Sequence, residues 1–176
     1  MSAPAASACP DRVLRWTAVD SDIGAVLGVV SEVGLAAVRV GPSVEPLLDE
    51  VAQQWRGTRL TQSNCGEHAL LNRALIELAG GRPGDVGHPL DLGGTEFQRD
   101  VWHALQRIPR GETRTYSEVA DDIGSRSSVR AVANACGANP LALVIPCHRV
   151  IRSDGGLGGY RWGIDVKRAL LQLEQR

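Results

Sequence analysis

No Cys-x-x-Cys pair occurs among the four cysteines, Cys9, Cys65, Cys136 and Cys147, which argues against a zinc ribbon and against a disulfide framework. The histidines (His68, His88, His103 and His148) fall at no ligand spacing, so no structural metal is expected. No stretch approaches the roughly 20 apolar residues that a membrane-spanning helix needs. Residues 1–10 lack both a basic start and a long apolar segment, so they read as a disordered tail and not as a signal peptide. A cytoplasmic protein is the expectation. Aromatic residues are scarce, at 4%, although four of the seven are tryptophan.

Lysine is nearly missing as well, and its absence shapes the charge pattern. Residues 1–92 hold 7 Arg against 11 Asp and Glu, a net of −4, whereas residues 93–176 hold 11 Arg and one Lys against 9 acids, a net of +3. The overall charge of −1 hides this asymmetry. Arginine suits forked phosphate contacts better than lysine does, so the second half is the candidate nucleic-acid face; a plainly solvated basic surface is the alternative.

The remaining composition, 43% apolar and 22% charged over 176 residues, suffices for one domain or two small ones. Val13 to Ala18, Ala25 to Val30 and Gly34 to Val40 are short β-branched segments separated by polar turn signals, which predicts an antiparallel meander. Helical patterns follow at Val44 to Trp55 and Glu67 to Ala79, and Gly80-Gly81-Arg82-Pro83-Gly84 ends the second. Strands and then helices, without βαβ alternation, indicate an α+β fold. The expected organisation is a tail over 1–10, a small N-terminal α+β domain with its linker over 11–92, and a mainly helical domain over 93–176.

In that second half, Thr95-Glu96-Phe97-Gln98 and Thr115-Tyr116-Ser117-Glu118 are capping boxes, each opening a helix. Ser127 or Ser128 is placed to cap another, which runs from Val129 to Cys136 before Gly137 and Asn139-Pro140 break it. Two short helices around a glycine turn make a helix-turn-helix candidate. The second is small-sided through Ala131, Ala133 and Ala135, with Arg130 near its start, which suits either a tight helix contact or a nucleic-acid groove.

The run Leu141 to Ile151 reads as a strand broken at Pro146, with Cys147 at its rim and His148 beside it. A thiol with a basic neighbour is an ingredient list for a thiolate nucleophile. The loop from Ser153 to Tyr160 is rich in glycine but lacks the Lys-Ser/Thr ending of a P-loop. A last amphipathic helix, from about Ile164 to Glu174, turns Val166, Ala169, Leu170 and Leu173 inward and carries Lys167 and Glu174 on other positions.

Pro146-Cys147-His148-Arg149-Val150 resembles the active-site motif of the O6-alkylguanine-DNA alkyltransferases. Thr95 to Trp102, Ile108-Pro109-x-Gly111-Glu112, Thr115-Tyr116, Arg130-Ala131-Val132, Asn139, Gly159-Tyr160-Arg161-Trp162-Gly163, Lys167 and Leu170-Leu171-x-x-Glu174 follow the family's order and spacing. The resemblance is tight over 95–174 and loose over 13–92, and Tyr160 to Gly163 looks most similar to the C-terminal half of the bacterial adaptive-response regulator. The regulator's cysteine-rich zinc domain has no counterpart in these residues.

The resemblance implies direct-reversal DNA repair: the alkyl group passes from O6 of guanine, and from O4 of thymine, to Cys147 after the nucleotide is flipped out of duplex DNA. It implies His148 as the base acting through a water, Glu174 as its support, and Tyr116 and Lys167 near the departing base. It further implies Arg130 as the residue filling the vacated stack, Ala131 and Ala135 facing the groove, Asn139 holding the active-site turn, and Val150 and Tyr160 at the substrate. No cofactor and no metal are implied, and the protein would act once per molecule, as a monomer. Two readings outside the family stay open. One is a helix-turn-helix regulator without chemistry; the other is a cysteine hydrolase, for which no oxyanion hole is evident.

Overall fold

The computed structural model describes residues 13–64 and 66–176. The tail expected over 1–10 lies outside the described residues, as do Cys9 and Cys65. Strands β1 (Val13–Ser21), β2 (Gly24–Val30) and β3 (Leu35–Gly41) form the expected antiparallel meander. The β1–β2 turn depends on Gly24, whose φ of +108° and 2.4 Å clearance between a notional Cβ and the Gly41 carbonyl oxygen leave no room for a side chain. Helix α1 (Val44–Gln54) covers one face of the sheet, burying Leu47 and Val51 against Leu14, Leu27, Val29 and Ala37. Helix α2 (Ala69–Ala79) covers the other through Leu71 and Leu75, which pack among Val26, Val30, Val38 and Val40.

A fourth strand, β4 (Arg59–Gln62), pairs in parallel with β1 and makes the sheet mixed, in the order β3-β2-β1-β4. Its sequence, Arg-Leu-Thr-Gln, is too short and polar to show a period of two. The outer edge of β3 is covered twice. Leu35 bridges to Leu90 in the linker, and Val38 bridges to Leu141 in the second half. Unpaired edge groups are thereby used to join the two halves, and one buried cluster runs from the sheet through to residues of the C-terminal helices.

Both capping boxes form. Gln98 N donates to Thr95 Oγ1 (3.2 Å) while Thr95 N donates to Gln98 Oε1 (2.9 Å), starting α3 (Glu96–Gln106). Glu118 N donates to Thr115 Oγ1 (3.2 Å) while Thr115 N donates to Glu118 Oε2 (2.6 Å), starting α4 (Tyr116–Asp122) immediately after the two-residue β5 (Arg114–Thr115). A 3₁₀ turn leads into α5 (Val129–Gly137), completing the helix-turn-helix. Ser128 sits at the N-cap of α5, but its side chain bonds Ser125 Oγ instead of capping the helix.

Two sequence expectations need correction here. Ala135 is 2% exposed and faces inward, with its carbonyl accepting a hydrogen bond from Trp102 Nε1 (2.9 Å). The exposed side of α5 is that of Arg130 and Ala131, because Val132, Ala135 and Cys136 form the buried stripe of a 3.6-residue period. Nor is 141–151 a broken strand. After the single bridge at Leu141 the chain turns, with Leu143 at φ +69°, and Cys147–Arg149 form a 3₁₀ turn leading to β6 (Val150–Ile151), which pairs with β5. The run is apolar because it is buried, not because it is extended. Helix α6 (Ile164–Glu174) then buries Lys167, Leu170 and Glu174 most deeply, placing two charged residues inward where hydrophobic periodicity put only apolar ones.

Candidate active site

Cys147 is 4% exposed, at the floor of a cavity and not at a strand rim. Buried Asn139 ties its surroundings together. The amide nitrogen donates to Ile145 O (2.8 Å) and to Cys147 Sγ (3.2 Å), and its oxygen accepts from Leu141 N (2.9 Å). Burial pushes the Cys147 thiol up to about 11; the Asn139 hydrogen bond and the positive charge of Lys167 offset only part of that. The resting thiol is therefore protonated at neutral pH, and nucleophilic attack requires a base.

His148 Nε2 lies 2.9 Å from Glu174 Oε1. Burial lowers the imidazole pKa more than the Glu174 carboxylate restores it, so the ring is neutral. With Nε2 donating to an ionised carboxylate, the other nitrogen is left as an acceptor. That atom, Nδ1, is buried and hydrogen-bonds no other protein group. Burial pushes the Glu174 carboxyl up, yet hydrogen bonds from His148 and Arg149, with the positive charge of Arg149, hold it at about 2.

Arg149 is the residue that sequence reasoning left without a role. Its Nε lies 3.2 and 3.0 Å from the two Glu174 oxygens and its Nη2 lies 2.7 Å from Oε1, a forked pair, while Nη1 donates to Ile108 O (2.6 Å). The Ile108–Gly111 turn closes the arrangement: Gly111 N donates weakly to Glu174 Oε2 (3.4 Å), and Arg110 donates to the carbonyls of Gly81 and Leu173. A buried glutamate needs cationic partners; a basic residue directly after the histidine, on the same tight turn, was the available signal.

The cavity above Cys147 has a volume of about 210 Å³ and is bounded by Tyr116, Ala133, Gly159, Tyr160 and Arg161. Tyr160 stands edge-on to both His148 (6.5 Å between ring centroids) and Trp162 (5.1 Å). Burial raises Tyr160 well above its ordinary pKa and pushes Tyr116 up to about 12, so both phenols stay protonated, and the buried Tyr160 hydroxyl has no protein hydrogen-bond partner. The glycine loop closes on Tyr116 at Gly158, whose φ is +68° and whose notional Cβ would lie 3.0 Å from Tyr116 Oη.

Lys167 is fully buried beneath this loop and donates to the carbonyls of Val150 (2.6 Å) and Leu157. Burial lowers its pKa. It thus fastens β6 and the loop to α6. Neither Lys167 nor Val150, whose side chain is in the core, borders the cavity, although the resemblance implies a place for both at the substrate. Outside the cavity, Arg130 and Ala131 are exposed, and Arg130 borders a second groove of about 590 Å³ with Tyr116, Ala133, Arg152 and Gly158. Among the described residues no group of three or more His, Cys, Asp or Glu could hold a metal ion, and no helix is long and apolar enough to cross a membrane.

Comparison with known proteins places these features in context. The profile of the 6-O-methylguanine DNA methyltransferase DNA-binding domain matches residues 96–176. The bifunctional transcriptional activator/DNA repair enzyme Ada of Escherichia coli is 40% identical over 163 residues, covering 92% of this chain and 45% of that protein. A methylated-DNA–protein-cysteine methyltransferase of Mycolicibacterium paratuberculosis is 59% identical over 87 residues, covering 49% of this chain and 53% of that one. The chain thus spans about half the length of these curated relatives. Among solved structures, the O6-methylguanine methyltransferase of Mycobacterium tuberculosis superposes with a TM-score of 0.74 at 38% identity, over 92% of this chain and 93% of that chain. The same organism's OGT in complex with DNA gives 0.74 at 38% identity, over 93% and 92%.

Proposed function

Since the chain belongs to the O6-alkylguanine-DNA alkyltransferase family, we propose that it repairs duplex DNA by moving one alkyl group from O6 of guanine, or O4 of thymine, onto Cys147. The observation that carries this reading is the arrangement at the cavity floor: a buried thiol held by Asn139, followed in the chain by a neutral imidazole bound to an ionised glutamate. His148 Nδ1, reached through a water, takes the thiol proton, and Glu174 stabilises the imidazolium that forms. Sulfur then attacks the alkyl carbon in line. The carbon–O6 bond breaks and its electron pair passes to the guanine. The Tyr116 hydroxyl, kept protonated by burial, donates a hydrogen bond that offsets the charge developing there until water supplies the proton.

The product is a thioether. Activated water has no acyl carbon to attack in it, so each chain acts once. An alkylated base inside the stack is out of reach, and the DNA role proposed for α5 follows from that: Arg130 fills the vacated place while Ala131 lets the helix approach the minor groove. In this reading residues 93–176 form the DNA-binding and transfer domain, residues 11–92 support it, and the protein works as a cytoplasmic monomer on duplex DNA. Incubation with a duplex carrying O6-methylguanine, followed by intact-protein and peptide mass spectrometry, tests the proposal. One methyl group on Cys147 is expected; an unmodified chain alongside bound duplex would instead indicate a lesion-binding regulator.

A further inference from the structure

Arg39 lies on β3, in the half of the chain that holds none of the proposed catalytic side chains, and is 1% exposed. No carboxylate pairs with it directly. Its Nη1 donates to Val38 O (3.2 Å) and to Pro140 O, its Nη2 donates to Gln54 Oε1 (2.7 Å), and its Nε has no protein partner. Burial, with the nearby positive charge of Arg161, lowers its pKa to about 10, which leaves it charged at neutral pH. A charge buried among neutral acceptors is a costly way to fill space, and an apolar side chain of similar volume would pack there at lower cost.

Its placement gives it a task. Pro140 follows Asn139, whose amide donates to Cys147 Sγ (3.2 Å). The Pro140 carbonyl also accepts from Val38 N (2.9 Å), and Ala142 N donates to Val38 O (3.2 Å), so the 139–142 turn is docked on the β3 edge. Those backbone bonds would form with any residue at position 39. What the guanidinium adds is a rigid fork spanning the C-terminal turn of α1, the β3 edge and the Pro140 carbonyl. The same face of α1 also reaches Arg161, which borders the cavity: Glu50 Oε2 lies 3.6 Å from Arg161 Nη2.

We propose that Arg39 is a positioning residue for the Cys147 thiol, holding Pro140 so that the Asn139 amide is presented to Sγ, and that the N-terminal half is thereby part of the transfer site. The inference deepens the alkyl-transfer reading and rests on it for its consequence in repair, but its geometry concerns only the thiol.

The test compares Arg39→Met, Arg39→Lys and Gln54→Leu with the unaltered protein. The first readout is the pH profile of Cys147 alkylation by iodoacetamide without DNA, with the site assigned by peptide mass spectrometry. The second is the single-turnover transfer rate at saturating methylated duplex, set beside duplex affinity; circular dichroism and thermal unfolding confirm folding. Arg39→Met should move the thiol profile to higher pH and slow saturated transfer roughly tenfold, as small misplacements of a reacting group do, with affinity unchanged. Arg39→Lys, keeping a charged donor, should recover part of the loss. Gln54→Leu alters an exposed residue and should act in the same direction more weakly. A folded Arg39→Met with an unshifted profile and an unaltered saturated rate overturns the proposal, as does a loss confined to affinity. If Arg39→Met does not fold, an unshifted profile in Gln54→Leu overturns it. Failure of the unaltered protein to accept a methyl group would sink the proposed function while leaving the iodoacetamide comparison to decide the role of Arg39.

Discussion

His148 and Glu174 meet at 2.9 Å in the interior, 26 residues apart in the chain, with His148 2% and Glu174 6% exposed. Each is held in the form the other needs. The carboxylate is ionised because His148 and Arg149 donate to it, and the ring is neutral because burial outweighs the carboxylate's pull.

This pair makes the fold acid-labile. The folded pKa of Glu174, about 2, lies below its ordinary 4.5, and that of His148 lies below 6.5. Both contribute stability above their ordinary values and lose it as protons bind, His148 first and Glu174 further down. Thermal unfolding should therefore show Tm falling as pH is lowered from about 7 to about 4, with a Glu174 contribution of about 3 kcal/mol lost by about pH 2. A Tm flat across that range would contradict the assignment of charges.

Removing the carboxylate should be worse than titrating it. Glu174→Ala leaves the Arg149 guanidinium, itself 15% exposed, with only Ile108 O, and breaking a buried pair by removing one partner costs about 3 to 5 kcal/mol. Chemical denaturation should report a loss of that order. Glu174→Gln, which keeps the shape and one acceptor, should lose less stability but still slow transfer, because it cannot stabilise an imidazolium.

Asn139 serves three partners at once, two as donor and one as acceptor. Asn139→Ala should destabilise the fold by about 2 kcal/mol or more, from buried groups left unsatisfied. It should also move the reactivity of Cys147 to higher pH, since the amide is a feature that lowers the thiol pKa. Iodoacetamide labelling across pH reads this shift; an unmoved profile would mean that the Sγ contact has no electrostatic weight.

Arg130→Ala and Tyr116→Ala separate extrusion from chemistry. Both residues border the outer groove, and only Tyr116 also borders the inner cavity. Loss of Arg130 should slow repair of duplex DNA while leaving transfer from free O6-methylguanine base nearly unchanged. Loss of Tyr116 should affect both, and the duplex more. Equal losses on duplex and free base for Arg130→Ala would remove it from the flipping step.

Local signals were the most legible in the sequence. The meander, both capping boxes and the helix-turn-helix depend on residues within a few positions of one another, and they formed as read. Signals of longer range were hidden. β4 exists because β1 offers an edge to a four-residue polar segment. The apolar run 141–151 announced burial but not conformation, which the Asn139 amide and the β3 edge determine. Ala135 was turned outward because small size alone does not give helix phase, whereas its buried neighbours Val132 and Cys136 do. Position 149 lies 25 residues from its carboxylate and position 39 lies 101 residues from its carbonyl, so neither arginine's task could be read from spacing.

The most direct test of the central claim is a count of methyl groups transferred per Cys147 thiol, with excess methylated duplex and with Cys147→Ser in parallel. Transfer should stop at one methyl per chain, fresh substrate should not restart it, and the serine variant should bind duplex yet transfer nothing, because a hydroxyl lacks the acidity of a thiol. More than one transfer per thiol, or transfer by the serine variant at the unaltered protein's rate, would contradict the mechanism.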